Sequence, residues 1–322
     1  MGQVQKTFQA IDVGDGSDGR WGAHLRTLFP QAEEWLTDDG RTAEGALRAR
    51  NLFAEHMPEL VPLLDRLAEQ AGRPAAGAFL TMAALKPFFS GCTQAGGHGR
   101  LLRNYDFGPD ECEAVIVRSR FLRPVIGMQE VGWGLLDGMN DAGLAVSLTF
   151  GGRPVTGPGF AVNIVLRYLL ETCRTVTEAV ERLRKIPIMI AWNVTLVDAD
   201  RAVTVYLGPD IELTEAPDAC AANHQHLPVP EEAERATRTM QRLAAIRAAT
   251  RDAGGAGGRD VAAMLRPPLY ESRFDDGYGT LYTADYQPKQ RKVTYHWPGE
   301  TWEQSFDRST TGSRTITLGR TA

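Results

Sequence analysis

The residue with the clearest capacity for chemistry is Cys92, which stands in the run Ser90-Gly91-Cys92-Thr93. Glycine tolerates a strained backbone or the close approach of another segment. A thiol beside such a bond can attack the carbonyl carbon that precedes it and form a thioester, which water then opens. The cut would leave Cys92 with a free α-amine, which titrates at about 7.7 to 8.0 and can act as a base near neutral pH. Nucleophile and base would then belong to one residue.

The other three cysteines, Cys112, Cys173 and Cys220, have no paired short spacing, and we interpret them as small buried hydrophobic residues. The same interpretation is open for Cys92, but Gly91 before it and the polar turn after it set it apart. In a chain of this size, this pattern favours reduced thiols in the cytoplasm over a disulfide framework or a zinc site.

A second candidate group lies in the segment Arg103-Asn104-Tyr105-Asp106-Phe107. A strand that returned beside the Cys92 strand would bring Arg103 and Asp106 near the thiol. Their odd separation places them on opposite faces of a regular strand, so at least one of them is expected at a strand end or a bulge. A surface ion pair that contributes little is the alternative interpretation.

A third candidate is Asn223, in the run Ala222-Asn223-His224 ahead of a helix predicted over 231–251. An asparagine amide can donate a hydrogen bond to the oxyanion of a tetrahedral intermediate, and it can equally cap a turn. His224 is a candidate base, although a lone histidine more often has a structural role. The other histidines lack metal-ligand spacing, so no metal site is predicted.

Helical and strand patterns divide the chain near Cys92. Apolar residues at helical spacing before residue 87 predict helices. Short β-rich runs follow, with helices predicted at 160–170 and at 177–185, the latter capped by Thr177. A hairpin of 280–284 and 292–297 is predicted to close the chain. This order favours an α+β fold, in which residues 92–322 form a four-layer αββα body behind a helical N-terminal segment, 1–91.

Charge and composition exclude several classes of protein. The 322 residues carry a formal net charge of -5, and the charges are mixed rather than gathered in a basic stripe for nucleic acid. No apolar run reaches the roughly 18 to 20 residues that span a membrane, and the start of the chain lacks a secretory signal. We therefore expect a cytoplasmic protein that does not bind nucleic acid or membranes, with a homo-oligomer left open.

Four motifs together resemble those of the acyl-coenzyme A:isopenicillin N acyltransferases and their autoproteolytic bacterial relatives. More distantly, they resemble those of the bile salt hydrolases and penicillin V acylases. In chain order the motifs are Gly91-Cys92-Thr93, Arg103-Asn104-Tyr105-Asp106, Gly138-Met139-Asn140-Asp141-Ala142-Gly143-Leu144-Ala145-Val146 and Ala222-Asn223-His224. Each motif alone is weak, but the four in this order are fairly specific, and the resemblance covers most of the chain after about Leu80.

The resemblance implies that the chain is an N-terminal-nucleophile enzyme that cuts itself between Gly91 and Cys92. Residues 1–91 would correspond to the family's cleaved N-terminal part and remain bound as a light piece. By the same resemblance, Cys92 is the nucleophile, Asp106 contacts its amine and Asn223 supports the oxyanion.

Some positions depart from the acyltransferase pattern. Arg103 matches the arginine beside the nucleophile in bile salt hydrolases, where the penicillin acyltransferase has glutamine. Thr149 replaces a second oxyanion asparagine of the bile salt hydrolases, which leaves that donation to a backbone N–H. The segment 276–278, Asp-Gly-Tyr, stands where the acyltransferase has a Ser-Arg pair. Arg238 or Arg242 on the predicted helix is an alternative source of positive charge.

These observations predict an enzyme that hydrolyses linear amide C–N bonds through a thioester acyl-enzyme, without a metal or organic cofactor. Its partner would be a small-molecule amide or acyl compound. One alternative is an N-acyltransferase that uses a coenzyme A thioester, and another is an uncleaved, non-catalytic binding protein. Trp133, Phe150 and Trp192 are candidates for the lining of a substrate pocket, unless they pack in the core.

Overall fold

The computed structural model describes residues 2–87, 91–252, 259–308 and 310–319. In chain order, its strands are β1 (Val4–Asp12), β2 (Gly91–Gly97), β3 (Arg100–Phe107), β4 (Val115–Arg120), β5 (Pro124–Glu130), β6 (Gly134–Asn140), β7 (Ala145–Phe150), β8 (Trp192–Val197), β9 (Ala202–Gly208), β10 (Ile211–Glu215), β11 (Cys220–Ala221), β12 (Gly279–Gln287), β13 (Lys292–Trp297), β14 (Glu300–Ser305) and β15 (Gly312–Leu318). Its α-helices are α1 (Arg20–Ala32), α2 (Ala43–His56), α3 (Val61–Ala71), α4 (Ala76–Thr81), α5 (Val162–Thr172), α6 (Val176–Leu183), α7 (Glu231–Thr237), α8 (Thr239–Asp252) and α9 (Arg259–Met264).

The strands form two sheets. The large sheet has the order β10-β9-β8-β7-β6-β5-β4-β1-β15, and the small sheet has the order β11-β2-β3-β12-β13-β14. Strand β1 runs parallel to β4, whereas the other neighbouring strands with a described register are antiparallel. Strand β2, which begins at Gly91, therefore lies inside the small sheet between β11 and β3.

Three apolar clusters define four layers. The first lies between the sheets, where Met139 of the large sheet and Leu281 of the small sheet belong to one buried cluster. The second packs helices α2, α3, α5 and α6 on the outer face of the large sheet. The third packs Ile246 of α8 and Met264 of α9 on the outer face of the small sheet, which includes Leu102. The predicted αββα arrangement is confirmed.

Strand β6 shows how completely the large sheet is covered. All of its residues, Gly134–Asn140, are buried, because one face meets the small sheet and the other meets helix α5. Such a strand shows no alternation of polar and apolar residues. Asp137, in the middle of this strand, is consequently a carboxylate that needs partners inside the protein.

The N-terminal segment contains helices α1 to α4, as its apolar spacing predicts, but it also contributes strand β1 to the large sheet. In the pairing with β15, Val4 lies opposite Leu318 and Ala10 lies opposite Gly312. In the pairing with β4, Gln9 lies opposite Val115 and Asp12 lies opposite Arg118. The prediction of a helical segment missed this strand, since both of its partners are distant in the sequence.

Three local predictions also need correction. The N-cap of α6 is Thr175, whose side chain accepts a hydrogen bond from Glu178 N, and not Thr177. The predicted helix over 231–251 is broken at Arg238, which has a positive φ of 51° and separates α7 from α8. The hairpin of β12 and β13 is confirmed, but β14 and β15 follow it.

Phe53 tests the packing of the helical segment on the body. Its side chain has no exposed surface, and its ring centroid lies 6.2 Å from that of Trp133 and 6.2 Å from that of Phe160. We expect Phe53→Ala to lower the free energy of unfolding by about 3 to 5 kcal/mol, because removal of the ring leaves a cavity among buried aromatic side chains. Leu47 on the same helix is 58% exposed, so Leu47→Ala should change the free energy of unfolding by less than about 0.5 kcal/mol. Urea unfolding measures both, and equal losses would contradict this packing.

Candidate active site

Cys92 is the second residue of β2, and its side chain is buried in the cluster between the two sheets. It lies directly opposite Tyr105 on β3, and Gly91 lies opposite Asp106. The β2–β3 hairpin therefore brings Arg103 to the thiol, as the sequence analysis predicted, whereas Asp106 faces the other side of the small sheet.

The guanidinium of Arg103 lies against the thiol. Its Nη2 donates to Cys92 Sγ at 3.1 Å, its Nε donates to Leu148 O at 3.1 Å, and its Nη1 donates to Tyr282 Oη at 2.8 Å and to Asp137. Burial opposes the charge on this group, but the nearby Cys92, Tyr282 and Asp137 outweigh it and raise its pKa well above the usual value. A fixed cation beside sulfur favours the thiolate, which is the nucleophilic form.

Asp137 is the partner that keeps Arg103 in place. Its Oδ2 accepts hydrogen bonds from Arg103 and, at 2.6 Å, from Tyr282 Oη, and its Oδ1 accepts from Tyr286 Oη. The hydroxyl of Tyr286 in turn lies 3.0 Å from that of Tyr295. The sequence analysis missed this cluster, although one acidic residue in an otherwise apolar strand was a usable signal, since unpaired acids are rarely buried.

Asp106 lies on the opposite face of β3 from Arg103, as their odd separation requires. Its Oδ1 accepts from Thr280 Oγ1 at 2.7 Å, and its Oδ2 accepts from Arg242 Nη1 at 3.1 Å. The strand pairing with β12 is irregular just beyond Thr280. Burial raises the pKa of Asp106, and Arg242 acts in the opposite direction. Arg242 also donates to Cys92 O at 2.9 Å, so it links the carboxylate to the nucleophile strand.

The break at Arg238 places the start of α8 against the Asn223 segment. Thr239 Oγ1 accepts from Asn223 N at 2.7 Å and lies 2.8 Å from His224 Nδ1. Burial lowers the pKa of His224, which keeps the imidazole neutral near pH 7. Of the two candidate arginines, Arg242 reaches the site, whereas Arg238 pairs with Glu271.

The amide of Asn223 faces the backbone of Cys92. Its Oδ1 accepts from Cys92 N at 3.2 Å and from Arg242 Nη2, and its Nδ2 donates to Phe150 O at 3.4 Å. Close packing fixes this segment, because a Cβ on Gly152 would come within 2.4 Å of the Asn223 carbonyl oxygen. In the intact chain, Asn223 thus holds the N–H of the Gly91–Cys92 peptide bond.

The remaining candidates have different surroundings. Thr149 Oγ1 donates to Ala222 O at 2.8 Å, so it supports the segment that carries Asn223. Phe150 lines a cavity beside Gly91, and the ring of Trp192 lies 6.2 Å from the Phe150 ring. Trp133 is fully buried against helix α2, so of its two interpretations the structure favours packing in the core.

The cavity beside the site has a volume of about 750 Å³. Its walls combine apolar side chains such as Phe107, Phe150 and Phe274 with polar and charged ones, namely Asp110, Glu111, Asn223, Arg273, Asp276 and Tyr278. This volume suits a small molecule. Gly91 is part of the wall, and the next residue, Cys92, carries the sulfur that pairs with Arg103 between the sheets. The cavity therefore ends beside the Gly91–Cys92 bond.

In the described part of the chain, no group of three or more His, Cys, Asp and Glu residues is arranged to hold a metal ion. Among the same residues, no helix is both long enough and apolar enough to cross a membrane.

The αββα sandwich is the architecture of the N-terminal-nucleophile hydrolases. Residues 92–302 match the family described as acyl-coenzyme A:6-aminopenicillanic acid acyl-transferase, and the chain belongs to this family. The resemblance inferred from the four motifs is confirmed, and the family is one of acyl-transferring enzymes, which supports the prediction of an enzyme. Comparison with curated protein sequences gives no significant match.

Three solved structures show low sequence identity and low structural similarity to the chain. A mutant of conjugated bile acid hydrolase from Clostridium perfringens is 12% identical, with a TM-score of 0.49 over 71% of this chain and 96% of that one. Penicillin V acylase from Agrobacterium tumefaciens is 13% identical, with a TM-score of 0.43 over 70% and 90%. The Caenorhabditis elegans ortholog of N-acylethanolamine-hydrolyzing acid amidase is 14% identical, with a TM-score of 0.43 over 62% and 92%.

Arg242 provides a test of the electrostatics. We expect Arg242→Met to lower the free energy of unfolding by about 3 to 5 kcal/mol near pH 8, because it leaves the Asp106 carboxylate buried without its cation. Without Arg242, the pKa of Asp106 rises further, so the carboxyl is protonated at a higher pH and the loss becomes smaller at pH 5.

The control is Arg238→Met, because the Arg238 side chain is 36% exposed and pairs with Glu271 outside the site. Urea unfolding of both variants at pH 5 and pH 8 is the measurement. A loss for Arg242→Met that is the same at both pH values would show that the charge of Asp106 is not what Arg242 stabilises.

Proposed function

We propose that this protein cuts its own Gly91–Cys92 bond and then uses Cys92 as the nucleophile that hydrolyses linear amides through a thioester. The observation that carries the proposal is the 3.1 Å hydrogen bond from Arg103 Nη2 to Cys92 Sγ, inside the protein and next to a cavity that Gly91 lines. Membership of an acyltransferase family supports the reaction class, and the family match begins at Cys92.

In the maturation step, the Cys92 sulfur attacks the Gly91 carbonyl carbon. The C–N bond then breaks, the thiol proton passes to the departing nitrogen, and the acyl group is left on sulfur as a thioester. Water attacks the thioester, which yields a Gly91 carboxylate and restores the thiol. The released nitrogen is the α-amine of the new chain start, and Asn223 Oδ1 is already in place to accept a hydrogen bond from it.

In the catalytic cycle, the α-amine takes the thiol proton while sulfur attacks the carbonyl carbon of a bound amide. The ammonium group then gives this proton to the leaving amine, and the acyl group remains on Cys92 as a thioester. The α-amine next takes a proton from water, and the resulting hydroxide adds to the thioester carbonyl carbon. The C–S bond then breaks, the ammonium returns its proton to the departing sulfur, and a carboxylic acid is released. The mechanism uses no metal or organic cofactor, because an amine near its own pKa serves as acid and base.

The oxyanion of each tetrahedral intermediate needs donors on the cavity side of Cys92. Asn223 lines the cavity, and the bond from its Nδ2 to Phe150 O is long, at 3.4 Å in the intact chain, which supports donation from this amide to an oxyanion. A backbone N–H is proposed as the second donor, because the hydroxyl of Thr149 is used on Ala222 O. Asp106 acts on the amine side through Arg242, which it holds against Cys92 O.

We further propose that residues 1–91 stay bound after the cut. Strand β1 is hydrogen-bonded on both edges within the large sheet, and α2 and α3 bury their apolar faces on the body. Breaking one peptide bond removes none of these contacts. The mature enzyme is then a light piece, 1–91, and a heavy piece, 92–322, in one folded unit.

Mass spectrometry tests the maturation. Under denaturing conditions, freshly purified protein should give two masses that correspond to 1–91 and 92–322, and under native conditions it should give their sum. Cys92→Ala should remain a single chain, because it lacks the attacking sulfur. Cys220→Ala is the control, since this cysteine lies on the adjacent strand β11 outside the proposed chemistry, and it should be cut like the wild type.

A wild-type chain that stays whole in this experiment would contradict self-cleavage. If its Cys92 also failed to react with iodoacetamide, the uncleaved binding protein would be the better description. Cleavage at another position would instead move the nucleophile away from Cys92.

Acyl transfer is the second candidate function, and the description of the matching family favours it. An acyltransferase would release coenzyme A from an acyl-coenzyme A thioester in a single burst and would continue only when an amine is added. A hydrolase would show sustained release from an amide without any added amine. Steady-state release with and without the amine therefore separates the two functions.

A further inference from the structure

Tyr278 occupies the space directly beside the α-carbon of Gly91. A Cβ placed on Gly91 would lie 1.6 Å from Tyr278 Oη, 2.9 Å from Tyr278 Cζ and 3.4 Å from Asp106 Cβ. Carbon atoms in ordinary contact are about 3.5 to 4.0 Å from their neighbours. A side chain at position 91 is therefore incompatible with this placement of the tyrosine, and glycine fits.

Several contacts hold the Tyr278 ring in this position. Its backbone N donates to Arg273 O at 3.1 Å, and the Arg273 guanidinium carbon lies 5.2 Å from the ring centroid. Arg273 in turn pairs with Glu271 at 3.3 Å. Burial and the nearby Asp106 raise the pKa of Tyr278, so its hydroxyl stays neutral. The ring is thus a supported wall of the cavity.

In the proposed function, residue 91 is also the first acyl group that Cys92 carries. The maturation thioester joins the Gly91 carbonyl carbon to sulfur, and a substrate acyl group later makes the same bond to the same atom. The α-carbon of the substrate then takes the position that the Gly91 α-carbon holds before the cut. The surroundings of Gly91 consequently describe the subsite that receives the substrate acyl group.

We propose that Tyr278 rejects acyl groups that carry a substituent on the α-carbon in the direction of an L-residue's Cβ. This inference rests on the proposed function. The cavity beyond that carbon has about 750 Å³, so the restriction applies to one position and not to the size of the acyl group. The substrate class is therefore an amide or thioester of a carboxylic acid without a substituent in that direction, as when the α-carbon is a CH₂ group.

Self-cleavage tests the steric relation without any added substrate. Gly91→Ala makes the internal acyl group α-branched, so we expect its cleavage to be at least about 10-fold slower than that of the wild type, in the range that one methyl group produces in a tight pocket. Adding Tyr278→Ala removes the wall and should restore cleavage to within about threefold of the single Tyr278→Ala variant. Tyr278→Phe keeps Cζ 2.9 Å from the Cβ position and should restore less.

Acylation of the mature enzyme tests the substrate preference. p-Nitrophenyl esters of N-acetylglycine and N-acetyl-L-alanine differ by one α-methyl group in that direction, and the nitrophenolate burst gives the rate at which each acylates Cys92. N-acetylcysteine gives the ratio of the two rates for an unhindered thiol. The wild-type ratio should exceed this reference by about 10-fold or more, and Tyr278→Ala should bring it close to the reference.

The outcomes separate the two proposals. If the wild-type chain is not cut, or if the burst persists in the Cys92→Ala variant, the proposed function is contradicted and this inference fails with it. Normal maturation combined with a Gly91→Ala variant that cleaves at the wild-type rate, or with a preference for the glycine ester equal to that of N-acetylcysteine, overturns the role of Tyr278 alone. A failed rescue in the double variant, with circular dichroism showing a folded protein, also overturns it.

Discussion

The structure depends on one ion pair between the two sheets. Arg103 comes from β3 of the small sheet and Asp137 from β6 of the large sheet, and both side chains are completely buried. Removing one partner of such a pair typically costs about 3 to 5 kcal/mol, because the other charge stays buried. The packing of the sheets and the placement of a cation on the Cys92 sulfur are therefore set by the same contact.

Successive side chains of β3 point to opposite faces of the small sheet. Strand β3 therefore supplies polar groups on both faces of β2, the strand that carries Cys92. Arg103 points between the sheets toward the Cys92 sulfur, and Asp106 points outward toward Arg242 on helix α8. The inner side supplies a cation fixed by tyrosines, and the outer side supplies a carboxylate paired with an arginine that also binds the Cys92 carbonyl. Two layers of the sandwich thus converge on one residue from opposite directions.

The main candidate residues could be predicted from the sequence because each stands in a short local motif. In the structure, the Arg103 side chain contacts the Cys92 sulfur, and the Asn223 side chain accepts a hydrogen bond from the Cys92 backbone N–H. Asp137 and Thr239 were not predicted, because neither stands in one of the four motifs and each acts through another residue, Arg103 or Asn223.

The limits of the sequence analysis have physical causes. Trp133 was left open between the pocket lining and the core, because an aromatic residue of the core has the same local pattern as one that lines a cavity. The fold class followed from the alternation of strand and helix patterns, whereas strand β1 did not, because its partners β4 and β15 lie about a hundred and about three hundred residues away along the chain.

Strand β1 has a consequence for the order of events during synthesis. It is made about three hundred residues before β15, yet it lies between β4 and β15 in the large sheet. Domains generally form from the N-terminal end as the chain emerges, but this sheet edge requires a partner that is translated much later. The large sheet is therefore complete only after β15 has been made. Nascent chains must keep their first strand available until then.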